Sequence, residues 1–144
     1  MAPDATTVPA MSDHPSRGTD AEAVLVANRS FYEAFEARDV AAMEALWTGS
    51  AEVLCTHPGW PTLHGTEGVL RSWRSLLTNP QFLQFIVTNE REVVAGDAAW
   101  VTCDENILDG AGAAGGTVAA LNLFRRRSDG TWQLVGHHGS PVAG

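Results

Sequence analysis

A chain of 144 residues, 44% hydrophobic and 18% charged, is long enough to bury one core and too short for two. Its formal net charge of -8 argues against a nucleic-acid or anionic-membrane surface, either of which calls for a basic stripe. No stretch approaches the ~20 apolar residues of a membrane span, and the N-terminus lacks the basic start and apolar run of a secretory signal. A cytoplasmic protein is therefore expected, with small molecules or protein subunits as partners. All nine basic residues are arginine, a bias of high-GC coding that points to a bacterial source. In a reducing cytoplasm Cys55 and Cys103 are expected as free buried thiols.

Residues 1–18 are rich in Pro, Ser, Thr and Asp without apolar period and read as a flexible tail, leaving residues 19–144 as the folded domain. Thr19 and Glu22 have capping-box spacing, and Ala23, Ala27, Phe31 and Phe35, joined by Val24 and Ala34, form one apolar stripe. This predicts a first helix from about Asp20 to Arg38. Asp39 is a good N-cap for a short second helix whose apolar face is Val40, Met43, Leu46 and Trp47. The alternation over Ala51–His57 predicts a short strand with Val53, Cys55 and His57 on one side. Pro58-Gly59-Trp60-Pro61 must then leave any sheet.

A third helix is expected over Gly65–Thr78, with Val69, Leu70, Trp73, Leu76 and Leu77 on one face, stopped by Asn79-Pro80. Four strands follow: Phe82–Ala95, Ala98–Leu108, Thr117–Arg127 and Thr131 to about Ser140. Gly96-Asp97 and Ser128-Asp129-Gly130 are hairpin turns, and Asp109–Gly116 is a glycine-rich connection. Helices first and then an antiparallel meander indicate an α+β layer fold.

The strands also carry the candidate chemistry. In the last one, Trp132, Leu134, Gly136, His138 and Ser140 share one side by strict alternation, so His138 and Ser140 are expected to face the core and His137 the opposite side. A histidine exchanges protons near neutral pH, and a hydroxyl can hold its tautomer or a bound water. Val101, Cys103, Glu105 and Ile107 share another face, placing one carboxyl among apolar neighbours, where burial would raise its pKa toward that of a general base; Asp104 competes if the strand faces the other way. Ala120, Asn122 and Phe124 share a face with one amide, although the side bearing Leu121 and Leu123 could equally be inward. Cys55 and His57, followed by the stiff turn bearing Trp60 and His64, read as a pocket lip. His57, His64, His138, Cys55 and Cys103 are competent metal ligands, but no short ligand pairing such as HxxxH or CxxC occurs, so neither a metal nor a cofactor is expected.

The helix segment FYEAFEARDVAAMEALW, the loop CTHPGWPTLHG, the helix SWRSLL with its NP stop and the ending LFRRRSDGTWQLVGHHGSP resemble the nuclear transport factor two-like superfamily, in its SnoaL-like and ketosteroid-isomerase-like branch. The resemblance covers roughly Ala21–Pro141. It implies a cone, in which a strongly curved mixed sheet wraps around three N-terminal helices, with a pocket at the open end and a homodimer across the sheet. Members of the family include isomerases, cyclases, dehydratases and epoxide hydrolases, and also proteins without catalysis. GHHGSP is also similar to the HxHxS region of the calmodulin-dependent kinase II association domain and of iota-class carbonic anhydrases. His138 and Ser140 match the last two positions, while Gly136 replaces the first histidine.

The residues and the resemblance together lead to one expected site: His138 as proton shuttle, Glu105 as base or orienter, Ser140 and His57 as polar contacts, and Trp60, Cys55, Asn122 and Cys103 lining a substrate pocket. The expected function is acid/base chemistry on a small molecule without a cofactor. The alternatives are a non-catalytic binding or dimerisation module and metal-free carbonic-anhydrase-like hydration.

Overall fold

Apolar residues recurring at helical spacing and then at strand spacing produce two layers. In the computed structural model, residues 17–79, 84–109, 111–112 and 114–143 are described. Helix α1 (Arg17–Ala37) is already helical two residues before Thr19, so the expected capping box lies inside the helix rather than at its start. The expected tail lies outside the described residues up to position 16. Val24, Asn28, Phe31, Tyr32 and Ala34 form the buried face of α1. The helix ends at Arg38, whose positive φ of 58° lets the Asp39 amide return to the Ala34 carbonyl at 3.0 Å.

Asp39 then caps α2 (Val40–Leu46) by accepting from the Ala42 amide at 3.0 Å, as its position predicts. Helix α3 (Thr66–Thr78) buries Val69, Ser72, Trp73 and Leu77. The strands are β1 (Leu54–Thr56), β2 (Leu63–His64), β3 (Gln84–Ala95), β4 (Ala98–Leu108), β5 (Ala114–Arg126) and β6 (Trp132–Pro141). The two-residue β2 was not expected from sequence, and β5 begins earlier than its glycines implied. Sheet order is β2-β1-β6-β5-β4-β3. Among the described strands only the β1–β6 pairing is parallel, and an isolated parallel bridge joins Trp47 to Leu134. This open mixed sheet wrapped on three helices is the expected α+β cone. No described helix is long and apolar enough to cross a membrane.

Two bulges decide which side chains enter the cone. Along β5–β6, Leu123 pairs with Gly136 and Phe124 with Leu134, so Val135 is an extra residue without a partner. Along β3–β4, Thr88 pairs with Asp104 and Arg91 with Thr102, leaving Asn89 and Glu90 opposite Cys103 alone. Asn89 adopts a positive φ of 58° there. Each extra residue resets the two-residue alternation beyond it. Trp132 and Leu134 face inward as expected, but past Val135 it is His137 that is buried, while His138 and Ser140 are exposed on the outer face.

Aromatic rings fill the interior around Phe31, which meets Tyr32 edge-on at 4.8 Å, Trp73 at 5.4 Å and the His137 ring at 5.1 Å. Gly139, also inward, leaves little room for a side chain: a Cβ there would lie 3.1 Å from Val118 Cγ1 and 3.2 Å from Pro58 Cγ, so both would have to give way. Gly139→Val should therefore lower stability by about 1–3 kcal/mol through overpacking, as read from urea unfolding midpoints at constant m-value.

Candidate functional site

The inner face of the sheet and the Pro58–Trp60 turn enclose a cavity of about 180 Å³. Its polar wall is His57, Glu105 and His137; its apolar wall includes Phe35, Phe85 and Val118. His57 enters from the end of β1, beside the turn whose Trp60 amide bonds to the His57 carbonyl at 2.8 Å. Trp60 stays 41% exposed and packs its ring 4.9 Å from the His57 ring, forming the rim. Glu105 arrives from β4, where Asp104 faces outward, so the competition between these two acids is resolved in favour of Glu105. His137 arrives from β6 only because of the Val135 bulge.

Behind the cavity wall runs a buried hydrogen-bonded chain. Tyr32 donates its hydroxyl to Glu105 Oε2 at 2.6 Å and lies 3.3 Å from the Cys103 sulfur. Asn122 Nδ2 donates to the Tyr32 oxygen at 3.1 Å and to Asn28 Oδ1 at 2.9 Å. With its amide nitrogen so used, Asn122 presents Oδ1 to His137 Nδ1 at 2.6 Å. His137 must therefore donate from Nδ1, which leaves the lone pair of a neutral ring on Nε2. Glu105 and His137, two members of the polar wall, are thus the two ends of one polar network.

His57 has a separate anchor. Ser72 donates its single hydroxyl proton to the Val69 carbonyl at 2.7 Å, so at 2.8 Å it can only accept from His57 Nε2. The lone pair of His57 therefore sits on Nδ1.

Burial sets the protonation of these groups. It lowers His57 to about 4 and His137 to about 3, the second helped by the neighbouring His57 and His138, so both rings are neutral at physiological pH. Burial raises the Glu105 carboxyl above the usual carboxylate range, against a smaller opposing effect of the Tyr32 hydrogen bond. Tyr32 is pushed far up, first by burial and then by Glu105 and Cys103, and remains a phenol. The Cys55 thiol is pushed up to about 12 and the Cys103 thiol to about 11, again by burial. Both cysteines are free and protonated, which makes them packing groups rather than nucleophiles.

The expected site is therefore corrected in part. His57, Glu105 and Trp60 converge on one cavity, whereas His138 and Ser140 point to the other side of the sheet. His138 lines a shallow outer depression with Asn89, Arg91 and Asp104. Asn122, Cys103 and Cys55 do not line the cavity: Asn122 is fully buried and holds His137, Cys103 touches Tyr32, and Cys55 packs 3.6 Å from His57. Four participants escaped the sequence reading, namely His137, Tyr32, Asn28 and Ser72. Asn28 carried a usable signal, being a polar residue four positions after Val24 on the buried face of α1. Among the described residues no group of three or more His, Cys, Asp or Glu side chains is arranged to hold a metal ion.

The SnoaL-like domain family matches residues 24–144. A proposed dehydratase of the nuclear transport factor 2-like family from Streptomyces avermitilis is 44% identical and superposes with a TM-score of 0.81, over 90% of this chain and 100% of that one. A proposed calcium/calmodulin-dependent protein kinase type II association domain from Thiobacillus denitrificans is 31% identical with a TM-score of 0.76, over 83% and 94% of the two chains. F-box protein SKIP8 from Arabidopsis thaliana is 30% identical over 118 residues, which are 82% of this chain and 49% of that protein, so the chain spans about half the length of this curated relative. With the family matched from α1 to the C-terminus and the cone in place, the chain belongs to the SnoaL-like family of the nuclear transport factor 2-like superfamily.

Proposed function

We propose that the protein is an acid/base enzyme that uses its own side chains to move protons on a small uncharged molecule, in an isomerisation or in the elimination or addition of water. The observation that carries this reading is the meeting of Glu105 and His137 on one cavity, where burial shifts the carboxyl up and holds the imidazole neutral. The His137 Nε2 lone pair takes a proton from carbon, and the Glu105 carboxyl gives one to the departing or developing oxygen. His57 Nδ1 offers a further hydrogen-bond acceptor.

Substrate class follows from size and charge. A cavity of about 150 Å³ holds a benzene-sized guest, so the volume of about 180 Å³ here suits a short chain or a flat guest of one or two fused rings. The residues lining it provide no cation for a carboxylate or phosphate, and an anion buried there without a partner would be heavily penalised. Elimination of water is further supported by the 44% identity to the proposed dehydratase. Self-association through the outer sheet face, where Ile86, Val93 and Trp100 are exposed, belongs to the same proposal. The likeness to the proposed association domain favours a second reading, a non-catalytic assembly module.

A general probe of a buried base separates these readings. Ring opening of 5-nitrobenzisoxazole needs one C–H proton removed as the N–O bond breaks, and the released phenolate absorbs visible light. Wild type should open it. His137→Asn should lower the rate by about 10²–10⁴-fold, Glu105→Gln should lower it less, and His138→Asn should leave it unchanged. Equal rates in His137→Asn and His138→Asn would sink the assignment, and probe binding without turnover in wild type would favour the assembly module. The rate should fall as pH rises through the raised Glu105 value and should not fall on acidification until near the low value of His137, about 3.

Stability should follow the same groups. Below about 6.5 the unfolded chain protonates both histidines while the fold does not, so stability drops as pH falls from 6.5 toward about 4 for His57 and about 3 for His137. Glu105 acts in the opposite direction, since above 4.5 the fold keeps a proton that the unfolded chain has released. Urea unfolding between pH 6.5 and 5 should therefore show a shallower loss of stability in His137→Asn than in wild type, by up to about 1.4 kcal/mol per pH unit. An unchanged slope would mean that His137 is not held neutral.

A further inference from the structure

From the bulge in β3 a second polar contact reaches the network, through a residue outside the cavity wall. The extra residue Asn89 turns outward, its Nδ2 donating to Asp104 Oδ2 at 2.7 Å, and the following Glu90 turns toward α1. There Glu90 Oε2 accepts from Asn28 Nδ2 at 2.9 Å. A carboxylate can only accept, so Asn28 must present its nitrogen to Glu90 and its oxygen inward. Asn122 must then give its nitrogen to Asn28 and its oxygen to His137, and His137 must carry its proton on Nδ1.

The other end of the network makes this choice only while Glu105 is ionised. When Glu105 is ionised, Tyr32 donates to it and accepts from Asn122, which agrees with the orientation seen. When Glu105 is protonated, it can donate to the Tyr32 oxygen, and Tyr32 can donate to Asn122 instead. In that state both Asn amides could turn over together with every hydrogen bond among Glu105, Tyr32, Asn122, Asn28 and His137 still satisfied, and the His137 lone pair would move to Nδ1, against Asn122. With Glu105 protonated, only Glu90 distinguishes the two arrangements.

We infer that Glu90 is a positioning residue, which fixes the tautomer of His137 through Asn28 and Asn122 and so keeps the Nε2 lone pair available to the cavity. The inference rests on the proposed role of His137 as base, but its first test needs no substrate. Long-range proton–nitrogen correlation spectra of the ¹⁵N-labelled protein report which ring nitrogen of His137 is protonated. Wild type should show only the Nδ1–H form. Glu90→Gln, nearly isosteric and able to present oxygen or nitrogen to Asn28, should show a mixture of both forms. Glu90→Lys, which can only donate, should shift the population to the Nε2–H form.

The 5-nitrobenzisoxazole kcat of Glu90→Gln should fall about two- to tenfold at unchanged KM, the population change that the preference of one hydrogen bond supports. A sole Nδ1–H tautomer persisting in both variants would overturn the inference. So would a loss of stability in Glu90→Gln with tautomer and kcat unaltered, because Glu90 would then be a structural anchor alone. If the tautomer shifts while no form of the protein, wild type included, turns the probe over, the positioning stands and the enzymatic reading fails.

Discussion

The structure depends on satisfying five polar side chains in the middle of an apolar core. Asn28, Tyr32, Glu105, Asn122 and His137 are all buried, and any one left unpartnered would cost more than its hydrogen bond contributes. They are acceptable only as a set. Helix α1 supplies two of them, β4, β5 and β6 one each, so the network joins the helical layer to three neighbouring strands at one depth in the cone. The aromatic cluster around Phe31 and Trp73 packs alongside this set and keeps water from competing with it. The same exclusion of water shifts the acid up and the imidazoles down, so core and candidate site have one physical origin.

Two local irregularities make the network possible. On a regular sheet β3 would direct Asn89 inward and β6 would direct His138 inward. With one extra residue in each strand, Glu90 and His137 take those directions instead, the first to Asn28 and the second to Asn122. Bulges are costly to a ladder because they leave a residue without its pair. Here each one exchanges ladder regularity for a side chain aimed at the interior.

Much of the architecture was legible because it rests on repetition. The stripe through Phe31 and Phe35, the Asp39 cap, the stop at Asn79 and the meander of β3 to β6 all follow from periods and local chemistry that a single sequence displays. The inward face of β4 was legible for the same reason, and with it Glu105. His137 was not, because a bulge has no reliable sequence mark: Val135 is as good a strand residue as its neighbours, and alternation counted from Trp132 passes through it unnoticed. Tyr32 was hidden differently. It lies beside the apolar stripe, and its role depends on Glu105 and Asn122, more than seventy residues away in the chain. Pairings of that range are a property of the fold, whereas Asn28 only needed its place on the helical face to be noticed.

The position of Val135 bears on how relatives of this protein are to be compared. Two adjacent histidines supply an imidazole to each face of β6, so gain or loss of one residue ahead of them would exchange which ring enters the interior without emptying it. Letter-by-letter correspondence across GHHGSP is thus a poor guide to equivalence in space. Two chains that align histidine on histidine can differ in which one is inside, and two that appear offset by one position can place the same nitrogen in the same cavity.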